Sequence, residues 1–160
     1  MRMAAHPCIV ARHDCSRPDP HDLARFIDAQ EAMIDRVRAE LRAGRKATHW
    51  MWFVFPQIIG LGRSETARFY AIRTHEEAAA YLAHPVLGPR LVECTRLINA
   101  VKGSTAEQIF GQVDAMKFHF CMTLFAAVDA RQPDFTEALR KYFSGAPDQA
   151  TLALIQPGPE

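Results

Sequence analysis

Residues 57–64, QIIGLGRS, combine amide, guanidinium and hydroxyl side chains with two glycines. Gly62, Arg63 and Ser64 lead directly into ETARFYAI, and Ser64 is expected to cap a helix there. Glycine lets a backbone approach a ligand closely, a helix N-terminus favours negative charge, and a guanidinium can hold a phosphate or carboxylate through two parallel hydrogen bonds. The pattern therefore predicts either an anion-binding loop that includes Gln57 or an ordinary glycine-rich turn with a capping serine. It is not a P-loop, because no GxxxxGKS or GxxxxGKT pattern is present.

An aromatic run, HWMWFVF, precedes this loop and ends at Pro56. Thr48 is expected to cap a short helix, and Pro56 is expected to end or bend it, because proline removes an amide donor. Residues 50–55 are apolar on every side of such a helix, which favours burial. Trp50 and Trp52 are therefore expected in the core, with a stacking wall for a ligand as the alternative.

Titratable side chains later in the chain are candidates for contacting or transforming a ligand. Asp114 and Lys117 are three residues apart at the start of a predicted helix, so they are expected to form a solvated pair on one face. In the functional alternative, Lys117 faces the Arg63 loop and shares an anion, with Asp114 as a cap or a general base. Glu77 is another candidate acid or base, and His49 can titrate near neutral pH. No catalytic residue is assigned beyond these three candidates, Asp114, Glu77 and His49.

Composition argues against several classes of function. The 160 residues carry 19 Lys plus Arg and 18 Asp plus Glu, so the chain lacks the strong positive field typical of nucleic-acid binding. No metal centre is expected, because neither HExxH nor CxxC occurs, and no cofactor is indicated. The four cysteines lack a disulfide pattern, and Cys121 lies in an apolar helix where a thiol packs rather than reacts. Since no apolar run approaches the roughly 20 residues of a membrane helix, we expect a cytoplasmic protein without nucleic-acid or membrane partners.

Helix-capping signals predict the elements that position these residues. Asp19 and Pro20 open an amphipathic pattern that continues to Gly44, which predicts one long helix. Two apolar segments, VLGPRLVECTRLINAVKG and DAMKFHFCMTLFAAVD, are expected to form central helices. Capping residues predict further helix starts at Ser64, Thr74, Ser104 or Thr105, and Asp134.

These elements predict an all-α protein. No segment alternates between apolar and polar residues with hairpin turns at its ends, so no sheet of consequence is expected. We predict a single compact domain of about six to eight helices over residues 19–155. Residues 1–18, which end in Arg-Pro-Asp-Pro, are expected to form a flexible leader, and residues 156–160 a tail.

The segments HWMWFVFPQ, GLGRS, LAHPVLG and the D-x-x-K helix occur in this order over about residues 23–155. In these segments the chain resembles a bacterial family of small helical proteins, domain-of-unknown-function family 1810. The resemblance implies an all-α single domain and carries over no settled activity. One departure is that the family usually has small hydroxyl residues before MTLF, where this chain has Phe120 and Cys121. Some relatives carry a calpastatin-like label, but that inhibitor is disordered, whereas this composition is that of a compact protein.

A fainter likeness in motif order connects the chain with helical proteins associated with NAD and ADP-ribose processing. From the Arg63 loop, the aromatic run and the polar residues near them, we predict a module that binds or processes a small phosphorylated or nucleotide-like ligand, and the likeness suggests one related to NAD or ADP-ribose. An enzyme of this kind would hydrolyse N-glycosidic or ADP-ribose-type bonds. The alternative is a non-catalytic protein-interaction module with an unspecified partner. The predicted ligand-binding residues are Arg63, Ser64, Gly62, Gln57, Trp50, Trp52, Lys117 and His49.

Overall fold

The fold comes from a computed structural model that describes residues 18–155. The predicted leader, apart from Pro18, and the predicted tail lie outside the described residues. Within them, the only pairing of β type is one isolated parallel bridge between Ile58 and Ile72, which confirms the all-α prediction. The helices are α1 (Ala24–Glu31), α2 (Ile34–Ala43), α3 (Met51–Val54), α4 (Glu65–Phe69), α5 (His75–Ala83), α6 (Leu87–Asn99), α7 (Ala106–Phe110), α8 (Gln112–Val128), α9 (Pro133–Phe143) and α10 (Gln149–Ile155).

The ten helices found in residues 18–155 exceed the six to eight predicted, in part because the predicted long N-terminal helix is divided. The amide N–H of Met33 donates to the carbonyl of Gln30 at 2.9 Å, so a tight turn separates α1 from α2. The Gln30 side chain points inward at this break and donates to the Phe53 carbonyl and the Tyr81 hydroxyl. Since neither glycine nor proline marks this turn, the sequence carried no signal for it.

Three of the six predicted caps are present, and the other three residues are placed differently. Ser64, Thr74 and Thr105 each accept a hydrogen bond from a backbone N–H three residues later. Asp19 accepts from two backbone N–H groups, but α1 begins only at Ala24. Thr48 caps no helix, because α3 begins at Met51 and the Thr48 hydroxyl donates to Glu40. Asp134 lies inside the first turn of α9, which begins at Pro133.

Helix α8 runs through the core and contacts α5, α7, α9 and α10. Residues 121–125 of α8 are all buried, which agrees with the prediction of a central helix. The aromatic run packs against it, since the Phe55 ring meets Phe118 of α8 edge to face at 5.1 Å between centroids. Trp50 is fully buried in the same core. The aromatic segment thus holds the start of α8 next to the connection between α2 and α3.

A buried ion pair fastens α1 to α5. The Arg25 guanidinium donates to Glu77 at 2.7 Å, and both side chains are 3% exposed. The other hydrogen bonds from the Arg25 guanidinium go to four backbone carbonyls, those of His21, Asp22, Phe69 and Ala71. The second Glu77 oxygen accepts from the Arg73 amide. Because every charged group in this pair is bonded, the pair holds the α4–α5 connection onto α1.

Candidate functional site

Two lysines share one carboxylate where the α2–α3 connection meets the start of α8. The Lys46 ammonium lies 2.8 Å from Asp114 Oδ2, and the Lys117 ammonium lies 3.7 Å from Asp114 Oδ1. The Lys46 side chain is only 8% exposed, while those of Asp114 and Lys117 are about one-fifth exposed. We call this group the Lys46–Asp114–Lys117 cluster.

Each lysine of the cluster lies over a tryptophan ring. The Lys46 Nζ is 5.2 Å from the Trp50 ring centroid, and the Lys117 Nζ is 4.6 Å from that of Trp52. Such contacts stabilise a cation through the negative face of the ring. The two tryptophans differ in their hydrogen bonding, because Trp50 donates its indole N–H to Glu40, whereas the buried indole N–H of Trp52 has no acceptor in residues 18–155.

Glu40 of α2 shapes the connection that carries Lys46. Its carboxylate accepts hydrogen bonds from the Ala47 and Thr48 amides, the Thr48 hydroxyl and the Trp50 indole. Burial raises the pKa of Glu40, but these hydrogen bonds outweigh burial and lower the pKa to about 2. The Lys46 amide also donates to the Ile109 carbonyl at 2.8 Å. The backbone on both sides of the Lys46 side chain is therefore fixed.

The cluster has more donors than acceptors. An ammonium group has three N–H donors, yet Asp114 is the one carboxylate that Lys46 approaches within the described chain. Lys117 is too far from Asp114 for a hydrogen bond at 3.7 Å. Two ammonium groups and one carboxylate leave one positive charge in excess, and the Glu40 carboxylate is already occupied by the connection. A bound anion would accept hydrogen bonds from the free N–H donors and balance the excess positive charge.

The N-terminus of α8 adds to this field. Gly111 occupies the N-cap position with a φ of 86° and supplies no side-chain cap. A Cβ at Gly111 would meet nothing within 4 Å, so this end of the helix is open. The first backbone N–H groups of an α-helix and its dipole both favour negative charge. Asp114 and Lys117 lie on the first two turns of the same helix, and Lys46 reaches Asp114 from the α2–α3 connection.

The glycine loop, residues 57–64, forms a different environment. Gln57 is buried, and its backbone carbonyl accepts a hydrogen bond from the Ile72 amide at 2.8 Å. A Cβ on Gly62 would lie 2.8 Å from Gln57 Nε2 and 2.6 Å from Ala67 Cβ, so glycine is required there for close packing. Arg63 is exposed and forms no ion pair with another described residue, and Ser64 caps the five-residue α4.

Apart from His49, the predicted site residues thus fall into three groups. Trp52, Asp114 and Lys117 lie together, and no hydrogen bond or ion pair joins their side chains to the glycine loop within the described chain. Trp50 has no exposed surface for a ligand, and Glu77 is held in the buried pair with Arg25. His49 is exposed on the α2–α3 connection and has no hydrogen bond to any described residue. The loop residues Gln57, Gly62, Arg63 and Ser64 form the third group.

Sequence reasoning did not find Lys46 and Glu40. Both lie in or before GRKATHW, where the pattern showed only the end of a helix and a polar connection. One local signal could have indicated Glu40. The Thr48 hydroxyl and the Trp50 indole N–H need an acceptor, and Glu40 is a carboxylate shortly before them in the sequence. The contact of Lys46 with Asp114 joins residues 68 positions apart, and the sequence did not predict it.

Two surface cavities lie away from all these residues. They have volumes of about 560 and 510 Å³ and adjoin each other at Leu82 and Asp129, between α5, α6 and the α8–α9 connection. Their charged lining residues include Glu93 and Arg96, which pair with Arg38 and Asp134 respectively. No predicted site residue lines either cavity, and both are shallow.

Neither a metal site nor a membrane span is found in residues 18–155. No three His, Cys, Asp or Glu side chains in this part of the chain are grouped so as to hold a metal ion. None of its helices has the length and apolar character needed to cross a membrane.

Comparisons with known proteins give a family and one close structure. A family model described as a protein of unknown function, DUF1810, matches residues 20–155. The crystal structure of the conserved hypothetical protein Rv1873 from Mycobacterium tuberculosis is similar, with 52% sequence identity, a TM-score of 0.85, and coverage of 86% of this chain and 98% of that one. Curated proteins give no significant match. The chain belongs to the DUF1810 family of proteins of unknown function.

Proposed function

We propose that the protein binds a small phosphorylated or nucleotide-like ligand through the Lys46–Asp114–Lys117 cluster. One observation carries the proposal, namely a lysine side chain that is 8% exposed and has one carboxylate for its three N–H donors. Burial of a charged group is costly unless its hydrogen-bonding capacity is used. A phosphate or carboxylate oxygen placed between Lys46 and Lys117 would use that capacity.

The residues around the cluster can each take part in such binding. Lys117 would hold the anion from the more exposed side, and the uncapped N-terminus of α8 would contribute its dipole. The Trp52 indole N–H is a further buried donor without an acceptor in residues 18–155. Of the predicted ligand residues, the proposal therefore retains Trp52 and Lys117 and adds Lys46. A role for Gln57, Gly62, Arg63 and Ser64 is a separate prediction that the Arg63→Ala variant tests.

If the protein is an enzyme, Asp114 is the general base that we propose. Its carboxylate lies beside an anion held by the two lysines and could accept a proton from a hydroxyl or a water molecule. N-glycosidic or ADP-ribose-type hydrolysis is the reaction to test first, in a cytoplasmic protein. Loss of turnover with retained binding in Asp114→Asn would support a catalytic function. Binding without turnover in the unmodified protein would leave a binding module.

A thermal-shift screen tests the proposal. The panel is inorganic phosphate, ribose 5-phosphate, AMP, ADP-ribose and NAD, with Lys117→Met as the site variant and Lys102→Met, a lysine exposed on the α6–α7 connection, as the matched control. A ligand at about 100 times its Kd adds about 2.7 kcal/mol, or roughly 5–11 °C for a domain of this size. We expect a shift with at least one phosphate compound that Lys102→Met retains and Lys117→Met loses.

Two results would contradict the proposal. One is a flat response across the whole panel, which would favour the protein-interaction module. The other is an equal shift in the unmodified protein and in Lys117→Met, which would place the ligand elsewhere. A shift lost in Arg63→Ala and kept in Lys117→Met would move the site to the glycine loop.

A further inference from the structure

The first two turns of α8 expose apolar side chains to solvent. Val113 is 65% exposed and Met116 is 54% exposed, and these are the two most exposed large apolar residues in the described part of the chain. The remaining exposed ones are Phe69, Leu154 and Ile59, which belong to other segments. Single exposed apolar residues are common in soluble proteins, but a pair on one helix face is a patch.

This patch adjoins the Lys46–Asp114–Lys117 cluster. Val113 and Met116 are three residues apart, so they are neighbours on the helix surface. Lys117 follows Val113 by four residues and therefore lies on the same strip, while Asp114 borders it. Side chains on an α-helix lean toward its N-terminus, and the 3.7 Å approach of Lys117 to Asp114 agrees with that direction. Lys117 and the apolar patch thus lie next to each other on the surface of α8, and Asp114 joins Lys117 to Lys46.

Packing against the core does not explain why Val113 and Met116 are apolar. The buried residues of α8, such as Ala115, Phe118 and Cys121, supply its contacts with the core. Val113 and Met116 alternate with the charged residues of the cluster and leave more than half of their surface in water. A ligand whose charged group is bound between the two lysines would have its remaining atoms close to Val113 and Met116.

We propose, on the basis of the proposed function, that the ligand carries a planar apolar group next to its phosphate. The ligand class is then a nucleotide or another aryl-bearing phosphate, in preference to a sugar phosphate or inorganic phosphate. The phosphate occupies the cluster, and the planar group lies against Val113 and Met116. A methionine thioether is polarisable and flexible, which suits it to contact with an aromatic face.

Isothermal titration calorimetry with matched ligands tests this inference. The probes are AMP and ribose 5-phosphate, which differ by the base, together with phenyl phosphate and inorganic phosphate. The variant is Met116→Gln, which keeps the length of the side chain and removes its apolar character. The control is Leu154→Gln, which makes a similar change at an exposed apolar residue of α10.

We expect AMP and phenyl phosphate to bind several-fold more tightly than ribose 5-phosphate and inorganic phosphate. Met116→Gln should weaken AMP binding roughly fivefold, since about half a side chain of apolar contact is lost, and leave ribose 5-phosphate unchanged. Leu154→Gln should leave both unchanged. Equal affinities for AMP and ribose 5-phosphate would overturn the inference while leaving the proposed function in place. Absence of binding by all four probes would overturn both.

Discussion

Replacing Arg25 with methionine is expected to produce a large loss of stability. The substitution keeps much of the side-chain volume but leaves the Glu77 carboxylate buried without its cation, and it removes the donors of four backbone carbonyls. Breaking a buried ion pair from one side costs about 3–5 kcal/mol. For a domain of this size, that corresponds to a melting temperature lowered by roughly 6–20 °C.

The double variant Arg25→Met with Glu77→Leu serves as the control. It removes both charges, and a buried pair replaced by apolar residues is often neutral in stability, so we expect it to recover much of the loss. Urea denaturation followed by circular dichroism gives the free energy of unfolding for the two single variants and the double variant. A loss below about 1 kcal/mol in Arg25→Met, or additive losses in the double variant, would refute this reasoning.

A further variant, Glu77→Gln, separates the two roles considered for Glu77. If the carboxylate only holds the fold, Glu77→Gln lowers the free energy of unfolding and leaves ligand affinity unchanged in the folded protein. An acid or base role would instead appear as lost turnover at full stability. The buried pair with Arg25 supports the first result.

Three further predictions concern other parts of the chain. The pKa of Glu40 is lowered from 4.5 to about 2, so its contribution of about 3 kcal/mol to the free energy of unfolding is present above pH 4.5 and is lost as the pH falls toward 2. The stability of Glu40→Gln, followed over the same pH range, should lack this component. Gly88→Ala should cost at least about 3 kcal/mol in urea denaturation, since its Cβ would lie 2.0 Å from the Leu82 carbonyl oxygen. Burial raises the pKa of the Cys94 thiol to about 12 and raises that of Cys121 as well, so iodoacetamide should modify neither in the native protein and both in urea.

The helical fold could be predicted because its signals are local. Ser64, Thr74 and Thr105 cap helices as predicted, since each cap needs only a side chain and a backbone N–H three residues later. The division between α1 and α2 is different in kind, because it depends on Gln30 reaching Phe53 and Tyr81 across the core. No pattern within residues 23–43 contains that information.

The candidate site could be predicted only in part for the same reason. Asp114 and Lys117 were found because they are three residues apart on one helix. Lys46 was missed because it reaches Asp114 only through the tertiary packing of the α2–α3 connection. The aromatic run was correctly expected in the core, but the sequence could not distinguish Trp50, whose indole bonds Glu40, from Trp52, whose indole has no partner in the described chain.

This difference between the tryptophans provides the most direct test of the anion site. The chain has two tryptophans and therefore two indole N–H signals in a proton–nitrogen correlation spectrum, which Trp52→Phe assigns. Titration with AMP should move the Trp52 indole signal far more than that of Trp50, and Lys117→Met should abolish the change. A saturating titration that leaves the Trp52 signal in place, or that moves it equally in Lys117→Met, would contradict ligand binding at the Lys46–Asp114–Lys117 cluster.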